Sequence, residues 1–433
     1  MKRIVISVAM LACIGIGFLA CGSKPSARKT TSGLKFRAFV SNPLHLTTGT
    51  SPVLEIVDAT KDVNSFFPIG LSGSSQFPGL MAESPNKTLT AVFSSQGNTV
   101  AVVNNSTEAI LQTGSTATRI TLPGATESMF IWIDNATAYA AVPSAPVAGQ
   151  PSGAVAVLNF ANSSIKATLP VPGARYVVQS NNGNRILAFG DNSDAVTIIS
   201  PSLIGTSTNP LATVTGFHRP VWAVFNASDS IAYVLNCGPE CGDSNPASIT
   251  PLDLATNTPG VPLTLTSGGV AGGATMGLLS GNTLYAVGTA PGTTCSAATA
   301  TIGCGTLSVV DVGSMTVTNT SPIYISDGYH NRMELGANGQ LFIGAHTCTN
   351  VTASSGATAR GCLSIFNTLT SAVVMPPDNG DVTGIAPNTK RSVVYVCEGG
   401  TFRIYDAPTA RLQKTQITIV GQSTDVKIAD FPQ

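Results

Sequence analysis

Thr383-Gly-Ile-Ala-Pro-Asn, Ser392-Val-Val-Tyr-Val-Cys, Thr401-Phe-Arg-Ile-Tyr-Asp and Lys414-Thr-Gln-Ile-Thr-Ile follow one another near the end of this 433-residue chain. Each is a short run rich in β-branched, aromatic or alternating apolar residues, and polar turn formers separate them, so the stretch reads as four successive strands. The unit recurs upstream. Second strands are Leu89-Thr-Ala-Val-Phe, Ala138-Tyr-Ala-Ala-Val, Ile186-Leu-Ala-Phe, Ile231-Ala-Tyr-Val-Leu, Leu284-Tyr-Ala-Val and Leu341-Phe-Ile-Gly. A turn of Asn, Asp, Gly or Ser precedes each of them, as in Asn181-Asn-Gly-Asn and Asn338-Gly. Such residues tolerate positive φ or cap their own backbone. Third strands end in an acid or amide: Leu54-Glu-Ile-Val-Asp, Val155-Ala-Val-Leu-Asn, Leu307-Ser-Val-Val-Asp and Leu363-Ser-Ile-Phe-Asn.

A repeat of roughly 40–50 residues with four short strands predicts an all-β fold, a single β-propeller of four-stranded blades over residues 35–433. The termini support closure of the ring. The first copy opens on a second strand, Lys35-Phe-Arg-Ala-Phe-Val, and the chain ends on a first strand, Asp425-Val-Lys-Ile-Ala-Asp. Pairing the two completes one blade and removes the open edges. This gives eight blades, or seven if the weak copy near Ala195–Thr215 merges with its neighbours.

Composition agrees with a chain of strands and turns. Charged residues make up 10 % of the chain, against about a quarter in an average soluble protein. With 43 Gly and 27 Pro, long helices are not expected. The formal net charge is zero, which gives no electrostatic case for a nucleic-acid partner. Nucleotide, EF-hand, zincin and nucleophile-elbow motifs are all missing, so no cofactor and no metal is expected.

In the last blade, Arg403-Ile-Tyr-Asp-Ala-Pro-Thr-Ala-Arg-Leu-Gln-Lys-Thr-Gln-Ile resembles the YVTN-type propeller repeat, in which a strand ending in Asp leads through Thr to the next strand. Leu54-Glu-Ile-Val-Asp-Ala-Thr and Leu307-Ser-Val-Val-Asp-Val-Gly are weaker versions, and the Tyr-Val-Thr-Asn tetrapeptide itself is absent. Such repeats occur in surface-layer proteins and in lactonase-like propellers. The resemblance implies a fold and an exposed location, not a reaction.

At the other end, Met1-Lys2-Arg3 precedes an apolar run from Ile4 to Ala20, which stops at Cys21. This is a secretory signal. Its end, Phe18-Leu19-Ala20-Cys21, resembles the lipobox of bacterial lipoproteins, with Phe where Leu is usual. The resemblance implies removal of residues 1–20, acylation of Cys21 and an anchor in a bacterial membrane. Gly22 after the cysteine fits outer-membrane sorting, with the domain facing the periplasm or exterior. Residues 21–34 then form a tether, polar after Cys21, that spans roughly 20 Å as flexible coil. Export also suits the cysteines: Cys237/Cys241, Cys295/Cys304 and Cys348/Cys362 read as three disulfides within loops, leaving Cys397 a lone thiol, buried or unreactive, at a turn.

The strand order assigns two faces. Both termini fall on the lower face, with the first-to-second and third-to-fourth turns. The upper face takes all three cysteine pairs and all four histidines, His45, His218, His330 and His346. Entries to innermost strands on that face carry Glu127, Arg175, His218, Arg219, His330, Arg332 and Asp381. Ringing the mouth of the central channel, these seven are the candidate ligand-binding residues; none is assigned a catalytic role. Three functions fit: a membrane-anchored binding or scaffold module whose upper face engages a protein or glycan, a lactonase-like hydrolase, or a purely structural envelope protein.

Overall fold

The computed structural model describes residues 31–44, 52–65, 67–71, 76–297, 300–349, 351–352, 358–377 and 380–430. The expected signal, Cys21 and most of the tether lie outside these residues. Eight antiparallel sheets form a ring of eight blades. The innermost strands are Asp425–Asp430, Gln76–Glu83, Ser128–Ile131, Ala174–Gln179, Pro220–Phe225, Met276–Ser280, Tyr329–Leu335 and Val382–Pro387, taken in ring order. Asp425–Asp430 pairs with Phe36–Asn42, Arg37 lying opposite Ala429, so both ends of the chain share blade 1. The weak copy is a complete blade: Ala195–Ile199 and Leu211–Thr215 are its third and fourth strands.

Each blade buries both faces against its neighbours. Phe36–Asn42 and Val53–Asp58 are buried along their whole length. Eight apolar clusters result, one per interface between blades. This doubly buried arrangement explains the scarcity of charge within strands.

The polar residue that ends the third strand has a local job. Asp58, Asn104, Asn159, Asp253, Asp311, Asn367 and Asp406 each accept a backbone N–H two or three residues on. Four residues after each, Asp62, Glu108, Ser163, Asn257, Met315, Ser371 and Ala410 take positive φ and turn the chain into the fourth strand. Blade 4 instead uses a short 3-10 turn, Pro201–Leu203, which is why its repeat is faint in sequence.

The fourth strand of the last blade differs from expectation. Only Arg411–Leu412 is regular strand, not Lys414–Ile419. Beyond it the Gln416 carboxamide stands in for backbone, accepting from Ile404 N–H and donating to the Ile404 carbonyl. The tether also ends earlier than residue 34: Ser32 hydrogen-bonds the Glu108 carboxylate and Leu34 packs on the cluster between blades 1 and 2.

Candidate functional site

A cavity of about 740 Å³ opens at the upper mouth of the channel. Its wall comes from upper ends of innermost strands and from second-to-third turns. Arg175, Tyr176, Arg219, Tyr329 and Arg332 enter from the former, and Asp191, Asn192, Cys241 and His346 from the latter. A second chamber of about 550 Å³ lies within the channel. Leu80, Glu127, Tyr176, Asn331 and Arg332 line both spaces and form the neck between them.

Charge in the upper cavity is unevenly satisfied. Arg175 makes a two-pronged pair with Asp191, at 2.5 and 2.6 Å, and a third bond to Glu127 at 2.9 Å. The bonds to Asp191 and the neighbouring Glu127 push its pKa upward, so it stays a cation throughout the working range. Arg332 places Nε on the Thr383 carbonyl and Nη1 on the Asn331 carbonyl, each at 2.9 Å. No carboxylate lies within ion-pair distance of it among the described residues. Arg219 reaches Asp194 only at 3.9 Å.

Five aromatic residues also line the cavity: Phe77, Phe93, Phe189, Tyr176 and Tyr329. Burial raises both tyrosine pKa values, keeping the hydroxyls neutral. Tyr176 also meets Trp222 edge to face at 6.3 Å.

Four of the seven candidate residues, Glu127, Arg175, Arg219 and Arg332, therefore meet at the cavity. Three do not line it. His218 turns to the stapled loop of blade 5, with Nδ1 3.1 Å from Asn245 and 3.6 Å from Asp243. His330 is 1 % exposed and donates from Nε2 to the Ser326 carbonyl at 3.0 Å. Burial lowers its pKa to about 4. Two residues apart on a strand, His330 and Arg332 should share a face, but a register shift between them separates the two side chains. Asp381 accepts from Thr347 N–H at 2.6 Å and faces His346 at 3.7 Å, one step behind the wall. His346 itself is on the wall, its pKa lowered by burial and by Arg332; His45 lies outside the described residues.

The aromatic wall was not anticipated. Tyr176 and Tyr329 adjoin the candidate residues Arg175 and His330 in the chain, whereas nothing near Phe77 marks it. The three disulfides form as paired in the sequence: Cys237–Cys241, Cys295–Cys304 and Cys348–Cys362 staple the upper loops of blades 5, 6 and 7.

The disulfide cysteines lie in the second-to-third connections, as expected, whereas Cys397 lies in a strand and not at a turn. Cys304 and Cys362 are buried and stand immediately before the third strands Gly305–Asp311 and Leu363–Asn367. Cys362 packs in the apolar cluster between blades 7 and 8, and the Cys304 sulfur takes the Arg360 Nη1 at 3.4 Å. Each of these two staples thus ties the end of its loop to the foot of a third strand. Of the described cysteines, only Cys241 lines the cavity. Cys397 is buried, as expected, within the strand Val393–Glu398. Among the described residues, no three His, Cys, Asp or Glu side chains converge as a metal-ligand set.

Fold and cavity together define an eight-bladed β-propeller with a polar-aromatic mouth. No protein-family model matches the chain, and no curated protein is similar in sequence. Solved structures are similar in fold. Dihydro-heme d1 dehydrogenase NirN superimposes with a TM-score of 0.61 at 10 % identity, over 92 % of this chain and 75 % of that one. The Dos1 propeller gives 0.55 at 10 % identity, over 81 % and 86 %. The periplasmic gluconolactonase PpgL of Pseudomonas aeruginosa gives 0.46 at 15 %, over 92 % and 99 %, too low to favour a lactonase reading. At these identities the likeness establishes the propeller alone.

Proposed function

We propose that this chain is a lipid-anchored protein of the bacterial envelope that binds a small ligand in the upper mouth of its propeller. One observation carries the reading: a cavity of about 740 Å³ combines aromatic walls with arginines only partly neutralised by the protein's own carboxylates. Ligand sites have this size and this mixture of apolar wall and few convergent polar groups. Phe36 and Asp430 are paired partners at the lower face, so a tether from Cys21 would turn the cavity away from the membrane. A concave mouth of this volume favours a small molecule over a protein or glycan docking flat on the rim. Among the described residues, no three His, Cys, Asp or Glu side chains converge to hold the metal a lactonase-like hydrolase would need, and a purely structural role leaves the cavity's composition without a purpose.

Two measurements test this. Melting curves taken with a broad panel of small acids, sugars and amines should show at least one stabilising compound. Its effect should vanish in Arg219→Ala/Arg332→Ala, while the unliganded melting temperature stays near wild type. Equal loss of folding in the double variant would mark the arginines as structural and sink the reading. For the anchor, Cys21→Ala should move the protein from the membrane fraction to the soluble envelope fraction; continued membrane retention would refute lipidation.

A further inference from the structure

We infer that the ligand of the upper cavity is an aromatic acid, a flat ring system bearing a carboxylate. This rests on the proposal that the cavity is a ligand site and names the chemistry the site would recognise. Charge is the first ground. Arg175 is taken up by Asp191 and Glu127, but Arg332 bonds only backbone carbonyls, and the nearest carboxylate to Arg219 is the 61 % exposed Asp194 at 3.9 Å. Two guanidiniums lining the cavity thus keep donor capacity that the protein's carboxylates do not fill. A carboxylate matches their forked geometry.

The second ground is the wall. Aromatic side chains from three blades face the same space, and an aromatic guest covers them better than a sugar acid or inorganic anion would. The third is backbone strain. Phe77 and Arg219 both stand in the left-handed region, at φ 57° and 56°. Most other non-glycine residues there occupy tight turns between strands, where Asn and Asp recur. Phe77 and Arg219 lie instead at entries to innermost strands, and both line the cavity. Strain at a bulky residue persists where the surroundings enforce it, and such positions concentrate at binding sites. Phe77 is also 47 % exposed, an aromatic ring left without full cover. Arg332 lines both the cavity and the chamber beneath, so it marks the floor. The carboxylate then meets Arg332 and Arg219 while the ring lies against Phe77 and Tyr176.

The test is calorimetric titration of the full-length chain with three probes: 2-naphthoate, the uncharged 2-naphthamide, and gluconate, an acid without a ring. Naphthoate should bind at least about tenfold more tightly than either control. Arg219→Gln/Arg332→Gln should reduce naphthoate binding to the level of the amide, and Arg219→Lys/Arg332→Lys should recover part of it. Phe77→Ala should weaken naphthoate and amide alike, about threefold to tenfold, without lowering the melting temperature. Equal binding of naphthoate and amide, or binding of gluconate alone, overturns the aromatic-acid inference and leaves the cavity a ligand site. No binding of naphthoate also overturns it. If the broad panel then stabilises nothing either, the ligand-site reading falls as well.

Discussion

His330 shows how one residue can carry a site's signature in sequence and none of its chemistry. Tyr329-His330-Asn331-Arg332 looks like a functional cluster, yet the imidazole is buried, donating to Ser326 while Nδ1 has no partner. Its folded pKa of about 4 lies below the ordinary 6.5, because burial disfavours the cation. The unfolded chain therefore binds a proton that the folded one refuses. Stability from this residue is complete above pH 6.5 and is lost as pH falls towards 4. His330→Gln keeps a donor for the Ser326 carbonyl and removes the titration. Melting temperatures between pH 6.5 and 4 should fall more steeply in wild type than in the variant; parallel curves would show that His330 does not titrate there.

The stapled loops form a connected wall over blades 5, 6 and 7. Arg360, 2 % exposed, reaches from the blade 7 loop to Asp327 and to the Gly303 carbonyl of the blade 6 loop, each at 3.0 Å. Glu240, inside the Cys237–Cys241 staple, accepts from Thr289 N–H of blade 6 at 2.6 Å. Burial raises its pKa from 4.5 to about 8, so the folded state holds a proton the unfolded state has released. The contribution to stability is complete below pH 4.5 and is lost as pH rises towards 8. Glu240→Gln retains an acceptor for Thr289 and cannot ionise. It should flatten the fall in melting temperature between pH 4.5 and 8, by an amount on the order of a few kcal/mol at the alkaline end. An unchanged slope would show the carboxyl to be solvated. Because Cys241 lines the cavity, this latch also holds one side of the proposed binding mouth.

Ring closure depends on the short C-terminal strand. Asp425, 1 % exposed, accepts from Met81 N–H of blade 2 at 2.8 Å, and Thr424 bonds the Pro78 carbonyl at 2.9 Å. Gly384 of blade 8 lies so close that a Cβ would stand 2.8 Å from Val426 N, so the closing strand fits only against a glycine. Asp425→Ala leaves a buried N–H without its partner and should cost about 1–3 kcal/mol in urea unfolding. A loss near zero would mean that apolar packing alone shuts the ring.

The propeller was readable in advance because its signals are local. Strand alternation, the Asp or Asn that ends a third strand, and the unpaired strands at the two ends all depend on neighbours a few residues apart. Blade 4 was the weak copy because its turn uses Pro201–Leu203 in place of an acid or amide. Cysteine spacing gave the disulfide pairs, but not that Cys304 and Cys362 would be buried at the feet of strands, since that depends on where each loop rejoins its sheet. His218 and Asp381 are drawn aside by loop partners, Asn245 and Thr347, and His330 fell off the cavity for a different reason. Direction within an innermost strand depends on a register shift, as between His330 and Arg332, and a one-residue slip reverses the face. The cavity itself joins side chains from distant blades, Phe77, Arg175, Arg219 and Arg332 among them. Residues so far apart in the chain share no local pattern, and only the closed ring brings them to one cavity.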